Sequence, residues 1–382
     1  MTTETCNLKL PNIQPGICSI NNVAPHYRGA LFALMDQELK CDFYIGDRIA
    51  TPIMPMKVET LKGYRKTLKF IPLPGHFYWQ KGAVSMAFES YTYYLVDGEP
   101  YCLSNWLVLL ITKLRRKKTW LWSHGWYGDE NLLKRVVKKV FFNLSDKVLL
   151  YGDYARNLMI ARGFDPQKLV CIYNSMDYDQ QVKIRASLSD ATIYRTHFNN
   201  DDPVLIFIGR IQREKKVDQL IRAGRELNDQ GAPCNLVIIG EEIEETGIRS
   251  LVSNCSLDDR VWFVGPLFDE ARLGEFIYHA DVCVSPGNVG LTAIHCLTYG
   301  TPVITHDHFA RQGPEFEAIT PGVTGDFFAE NSVGDLCVKI KPWLSLPPIQ
   351  RASTRQACYA TIAGKYNPRY QVAVLKTLLA SV

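Results

Sequence analysis

From about residue 202 onward, short apolar runs alternate with longer segments whose apolar positions recur every three or four residues. PVLIFIGR, CNLVIIGE, RVWFVG, DVCVS (281–285) and TPVITH are the short runs, with helix-periodic segments between them. Apolar runs of this length, bounded by glycine or polar residues, are the pattern of strands buried on both faces, so the alternation predicts a parallel sheet covered by helices. In the first helical segment Val217, Leu220, Ile221, Gly224 and Leu227 form one stripe, and Gly231 suits its C-terminal stop. The first half has the same grammar less regularly, with KCDFYIGD (40–47), TWLWSH (119–124), DKVLLYG (146–152) and KLVCIY (168–173) as expected strands. Between the halves ASLSDATIYRTHFNNDDP (186–203) is rich in Ser, Thr, Asn and Asp and poor in periodicity, which places the expected domain boundary there, between 1–195 and 196–365. Val372, Leu375 and Leu379 at helical spacing predict a last helix over about 366–382.

A chain of 382 residues is long enough for two domains, each with its own core. Hydrophobic residues at 47% and charged residues at 21% are globular composition, and a net charge of +4 spread over this length gives no case for nucleic acid. The eleven cysteines are scattered, odd in number and without CxxC pairs or metal-ligand spacing, so reduced thiols in a cytoplasm are expected rather than disulfides or zinc. MTTETCNLKLPNI lacks a basic region followed by an apolar core, so no secretory signal is expected. The longest apolar run, WLVLLI (106–111), is about a third of what a bilayer requires.

Two stretches of the second half carry candidate chemistry. In FIGRIQREKK (207–216) a strand ends at Gly209, Arg210 follows, and Lys215 stands just before a helix; two fixed cations at a strand-to-helix junction suit a diphosphate, although a solvated basic loop has the same composition. SPGNVGLTAIH (285–295) puts two glycines and an asparagine between a strand and a helix starting near Gly290. The free N–H groups of such a helix start favour an anion or a polyhydroxylated ligand, and an ordinary tight turn is the alternative. Two successive Rossmann-like domains place ligands beyond the carboxyl ends of their strands. Neither half has the GxGxxG fingerprint of a dinucleotide enzyme.

GRIQREKKVDQLIRA, NLVIIGE, RVWFVGPL, ADVCVSP and GLTAIHCLTYGTPVI, in this order over roughly 202–330, resemble the retaining glycosyltransferases of family 4. The resemblance implies the α/β GT-B fold: two Rossmann-like domains facing a cleft, with the last helix crossing back to the first domain. It implies a nucleotide-diphosphate sugar, a UDP-sugar as first guess, held mainly by the second domain, a glycan or lipid-linked acceptor held mainly by the first, and no required cofactor or metal. On that pattern Arg210 and Lys215 neutralise the departing diphosphate, and residues 262–266, with Gly265, lie near the base. The family's two glutamates around the turn fall here on Gly287 and His295, while the following Gly-Leu is kept as Gly290–Leu291. Sugar recognition then falls to the turn from Asn288 and Val289 to Leu291, with His295 able to bond a ribose hydroxyl. In WSHGWYG (122–128), His124 occupies a position that in relatives lies beside the donor sugar, and GPEFEAI (313–319) offers Glu315 as a sugar contact. His26, Tyr27 and Arg28 stand where relatives have a glycine-rich loop, and suit an anionic acceptor or the donor phosphate.

NWLVLLITKLRRKK (105–118) and LLKRVVKKVFF (132–142) join apolar runs to clustered cations, which suits an anionic membrane surface as well as a core helix with a charged outer face. The resulting expectation is a cytoplasmic glycosyltransferase, at the inner face of the cell membrane if those segments touch it, working in bacterial surface polysaccharide assembly. The alternatives are a GT-B relative such as a nucleotide-sugar epimerase, and a non-catalytic nucleotide-sugar binder or partner subunit.

Overall fold

The computed structural model describes residues 16–48, 54–128, 130–189 and 192–381. By contacts the chain divides into two compact units, the first holding residues up to 123 with 131–149 and 164–170, the second holding 124–130, 150–163 and everything from 171. The first unit is built on β1 (Ile17–Asn21), β2 (Asp42–Gly46), β3 (Tyr64–Pro72), β4 (Tyr78–Lys81), β5 (Tyr93–Asp97), β6 (Lys118–Ser123), β7 (Lys147–Leu150) and β8 (Leu169–Cys171). Their order is β4-β3-β2-β1-β5-β6-β7-β8, with β3, β2, β1, β5 and β6 pairing parallel and β4 antiparallel to β3.

The second unit has β9 (Val204–Ile208), β10 (Asn235–Ile239), β11 (Val261–Gly265), β12 (Val282–Ser285), β13 (Val303–His306) and β14 (Gly325–Phe328), all parallel in the order β11-β10-β9-β12-β13-β14. Alternation along each strand feeds two separate cores. Ile206, Val237, Ile239 and Cys283 point to the side of Phe276, Leu297 and Tyr299, while Leu205, Phe207, Leu236 and Ile238 point to the side of Leu220, Leu227 and Trp343. The helix Val217–Asp229 buries the whole expected stripe of Val217, Leu220, Ile221, Gly224 and Leu227. Each of its large apolar side chains is worth roughly 1.5–3 kcal/mol against exposure.

The five strands expected in the second half and the four expected in the first are present. β1, β3, β4, β5 and β14 were not foreseen; β3 is mostly exposed and carries three Lys or Arg residues among nine, YRKTLKFIP, so it lacks the apolar run that marks a buried strand. The segment 186–203 holds a short helix, Ile193–Phe198, whose Tyr194 and Phe198 are buried beside Phe276. By contacts, residues 171–195 group with the second unit rather than with the first as the 1–195 division has it, and so do 124–130 and 150–163. The last helix, Pro368–Ala380, is present as expected, and it bonds to residues 173 and 175, which the 1–195 division counts in the first domain. It groups with the second unit, where Gln371 donates to the Tyr173 carbonyl at 2.8 Å and accepts from Ser175 Oγ at 2.5 Å. None of the ten described cysteines is in a disulfide, and among the described residues no helix is long and apolar enough to cross a membrane.

Gly240, after β10, has φ +153°, and a Cβ there would stand 1.8 Å from the Gly209 carbonyl oxygen. Gly240→Ala is expected to cost roughly 2 kcal/mol or more in urea unfolding, because both the backbone angle and the space exclude a side chain.

Candidate functional site

In the second sheet the strand order turns back between β9 and β12, so the loops leaving these neighbours diverge and open a crevice at their carboxyl ends. The β9 loop carries Gly209, exposed Arg210 and the short 3-10 turn Arg213–Lys215; the β12 loop is residues 286–291, before the helix Thr292–Thr298. The two loops interlock. Gly287 N–H donates to the Lys215 carbonyl at 3.1 Å, and Lys215 Nζ donates to the Asn288 carbonyl. A Cβ on Gly287 would lie 2.2 Å from the Glu214 carbonyl oxygen and 2.7 Å from Lys215 Cα. The missing carboxylate is thus no isolated change of side chain, because the backbone of 214–215 occupies its space.

A residue outside the sequence expectations holds the β12 loop from the other side. Buried Gln312 accepts from Val289 N–H at 2.9 Å and donates to Thr305 Oγ1 at 2.8 Å and the His306 carbonyl at 3.1 Å. Asn288 Nδ2 adds a bond to the Arg311 carbonyl at 3.0 Å. Nothing in the composition of QGPEFEA marks Gln312, since its role depends on β13 ending beside β12. With the Gly287 and Val289 N–H groups engaged, those of Asn288, Gly290 and Leu291 have no partner among the described residues and remain for a ligand. The helix that follows is only seven residues long, so these local groups count for more than a macrodipole.

Glu315 is buried and accepts from Asn174 Nδ2 at 2.8 Å. The Cβ position of Gly313 lies 2.7 Å from Glu315 Oε2, 3.4 Å from Asn288 Oδ1 and 3.4 Å from Gly290 Cα, which puts the carboxylate beside the turn. Burial lowers the pKa of the Lys215 ammonium; Glu214 and Glu315 oppose that shift and Arg210 adds to it. Lys215, Arg210, Asn288, Gly290 and Glu315 thus form one constellation with two cations, one acid and unengaged backbone N–H groups. Gly209 and Gly265 line the neighbouring strand ends, linked through Gly240, whose N–H donates to the Gly265 carbonyl at 3.0 Å.

His295 is placed elsewhere. It is buried at 6% exposure, with Nε2 2.9 Å from Glu270 Oε1, which also accepts from Tyr299 at 2.8 Å and Gln181 at 3.0 Å. Burial raises the Glu270 pKa, but the bonds from His295, Tyr299 and Gln181 bring it below its ordinary value. His295 in this structure is a partner of the half-buried Glu270 carboxylate, where the sequence suggested a ribose contact. His124 is exposed, 4.7 Å between ring centroids from Tyr151 and 6.1 Å from Tyr127. In the same unit Glu317 accepts from the N–H groups of Asp153 and Tyr154 at 2.7 and 2.9 Å, at the start of the helix Asp153–Ala161. Burial pushes its pKa up to about 7.

The first sheet has its own reversal, between β1 and β5. His26 to Arg28 form a 3-10 turn after β1, with His26 exposed and its N–H on the Met54 carbonyl at 2.9 Å. Tyr27 stacks edge-on to His26, and the Arg28 guanidinium lies 5.3 Å from the Trp122 ring centroid. Asp97, unforeseen because β5 was unforeseen, ends β5 and accepts from Asn22 N–H and, at 3.3 Å, from Asn21 Nδ2. Burial raises its pKa against those bonds and the charge of Arg28.

Residues 190–360 match the family model described as Glycosyl transferases group 1. Among curated proteins the chain is similar to D-inositol 3-phosphate glycosyltransferase 2 of Catenulispora acidiphila, 29% identical over 53% of this chain and 49% of that protein. It is also similar to alpha-D-kanosaminyltransferase of Streptomyces kanamyceticus, 27% identical over 42% of each. The chain thus spans about half the length, or less, of these relatives. Among solved structures it resembles Anabaena Alr3699/HepE in complex with UDP, with TM-score 0.73, 14% identity, and 96% of this chain and 100% of that one covered. The lipopolysaccharide outer core galactosyltransferase WaaB in its apo form gives TM-score 0.67, 14% identity, and 96% and 99% coverage. At such identity the likeness carries the fold, and it agrees with the expected α/β class of two parallel Rossmann-like sheets. The match over 190–360 supports a glycosyltransferase and includes both interlocked loops.

Gln312→Ala leaves the Val289 N–H unpaired in the interior, and is expected to cost about 1–3 kcal/mol in denaturant unfolding while loosening the β12 loop. Gly287→Glu, which restores the carboxylate of the family that the sequence resembles, is expected to lower the melting temperature in thermal unfolding, because the backbone of 214–215 fills its space. A raised carboxyl pKa means the folded state holds its proton longer than the unfolded chain, so stability contributed by Glu317 falls as pH rises from about 4.5 to about 7. Glu317→Gln is expected to flatten that part of the stability profile in urea titrations at successive pH values.

Proposed function

We propose that this chain is a retaining glycosyltransferase that moves a sugar from a nucleotide-diphosphate donor to a glycan or lipid-linked glycan. The observation that carries the reading is the Lys215 ammonium, held by the Asn288 carbonyl beside Arg210 and Glu315 at the reversal of a parallel sheet. A leaving diphosphate accumulates negative charge as the glycosidic bond breaks, and fixed cations in a partly desolvated crevice stabilise that charge more than they stabilise the ground state. Arg210 suits forked contact with the phosphates and Lys215 a point contact, so the pair does the work of a divalent ion. The N–H groups of Asn288, Gly290 and Leu291 and the Glu315 carboxylate suit the sugar hydroxyls, and Gly209 and Gly265 leave room for the nucleotide. His124 contacts the donor sugar, and His26, Tyr27 and Arg28 take the acceptor or a phosphate. Retention follows if the departing phosphate accepts the acceptor's proton on the face it leaves, with the protein supplying position and charge.

UDP is the first donor nucleotide to try, since a solved structure of this fold is a complex with UDP. The galactosyltransferase named for lipopolysaccharide outer core and the relatives named for inositol phosphate and kanosamine favour a polyhydroxylated acceptor. Bacterial surface polysaccharide assembly in the cytoplasm is the setting this favours. One observation favours a second reading, a nucleotide-sugar binder without transfer: the space of the family's first glutamate is filled by backbone, and His295, at the second, is turned onto Glu270.

Thermal unfolding with UDP, GDP, dTDP, CMP and ADP, with and without magnesium, tests the donor site. A site-specific ligand at a hundredfold excess over its dissociation constant adds roughly 2.7 kcal/mol. UDP is expected to raise the melting temperature without magnesium, and Arg210→Ala to abolish the shift. Lys215→Ala is expected to lower sugar transfer by about a hundredfold or more with its melting temperature retained. Binding without transfer or donor hydrolysis would select the second reading, and no shift with any nucleotide would overturn both.

A further inference from the structure

The helix Leu132–Asn143 is inverted relative to an ordinary surface helix. Its protein-facing side consists of Phe141 and Phe142, with Arg135 and Lys138 half-buried, while Leu132, Leu133, Val136, Val137 and Val140 are exposed, Leu132 at 76% and Leu133 at 74%. At 100° per residue these five cover an arc of about 140°, edged by Lys139 on one side and Lys134 on the other. The neighbouring helix Leu103–Leu114 repeats the feature. It buries Val108, Leu109 and Thr112 and exposes Leu107, Leu110 and Leu114, the last at 84%.

The two helices connect β5 to β6 and β6 to β7, strands that follow one another in the sheet, so right-handed crossovers lay them on one face. Trp106 and Phe141 confirm the adjacency, with ring centroids 5.0 Å apart. Eight of the eighteen exposed large apolar residues of the described chain therefore lie on two adjacent helices of the first unit. The charge is as lopsided. Residues 113–118 hold five Lys or Arg and 134–139 hold four, without an acid in 103–118 or 132–143, against a net +4 for the whole chain. Where both helices end, Lys113, Arg116, Lys117, Lys118 and Lys168, five cations against the single acid Asp146, line a cavity of about 340 Å³.

We propose that this face docks on an anionic lipid bilayer, with the apolar arc at the boundary of headgroups and acyl chains and the cations against lipid phosphates. The charge pattern selects this occupant. A second copy stacked face to face would bring Lys134 and Lys139 against their own kind, whereas an anionic surface complements them and the apolar arc meets an apolar layer. The basic cavity then offers a lipid phosphate several donors at the rim of the same face. The inference is independent of the donor reaction, whose site lies in the second unit.

The test is co-sedimentation of the full chain with vesicles of equal parts phosphatidylcholine and phosphatidylglycerol, and with phosphatidylcholine alone. Binding is expected to the anionic vesicles only and to weaken with salt. The double variants Leu133→Asp/Val136→Asp and Lys134→Glu/Lys139→Glu are each expected to weaken partitioning about tenfold or more. Their melting temperatures and any shift with UDP should match the parent, since the four residues are surface-exposed; this separates a lost docking face from a lost fold or a mistaken donor site. Equal binding of parent and variants, or no binding of the parent to anionic vesicles, overturns the proposal. So does a dimer of the parent in light scattering that the Leu133→Asp/Val136→Asp variant abolishes, because the face then belongs to a second copy.

Discussion

The hydrogen bond from the Lys215 ammonium to the Asn288 carbonyl, with the return bond from Gly287 N–H to the Lys215 carbonyl, is the constraint on which the candidate site depends. It joins two loops about seventy positions apart at the one place where the parallel sheet reverses direction. A partly buried ammonium is costly unless paired, and here its partners are a backbone carbonyl and two nearby carboxylates rather than one tight salt bridge. Such a cation remains free to respond to an anionic ligand while its position is fixed. The glycine at 287 is what lets the loops close to this distance, and Gln312 keeps the second loop from sliding back.

The same interlock explains how the site departs from the pattern of the family that the sequence resembles. A carboxylate at 287 requires a side chain where this protein has the backbone of Glu214 and Lys215. Beside the turn, the unengaged backbone N–H groups and Glu315, which Asn174 holds in place, are the polar groups left there. At 295 the histidine that stands where the resemblance expects an acid meets the Glu270 carboxylate of the neighbouring helix. Polar groups in the interior require partners, and the Glu270 carboxylate receives its own from His295, Tyr299 and Gln181.

The first unit distributes its apolar surface in a way that the second does not. Both sheets bury most of their strands, but the helices over β5, β6 and β7 turn leucines and valines outward with lysines beside them. Folding by hydrophobic burial alone would turn that helix over, so its orientation has to be held by Phe141 and Phe142 and offset by whatever covers the outer face.

Much of the second unit was legible in the sequence because its strands are continuous apolar runs and its first helix has an unbroken stripe; both are local patterns, set by the periods of strand and helix. Arg210, Lys215 and the glycine turn were legible because they sit next to those strand ends. β3 and β4 were harder because they are partly or largely exposed and carry no such run, while β1 (ICSIN) and β5 (YYLVD) are buried but mix serine, asparagine or two tyrosines into it, and with β5 Asp97 was missed. The apolar and basic segments 105–118 and 132–142 were visible as composition, but only packing decided which face turned outward. Tertiary structure likewise decided that Gln312 clamps the turn, that His295 faces Glu270, that Gly287 has no room for a side chain, and that the last helix stays with the second unit. These depend on which distant segments become neighbours. Local periodicity determines the elements, whereas the pairing of polar groups and the space left for a side chain are settled only when the sheet brings its loops together.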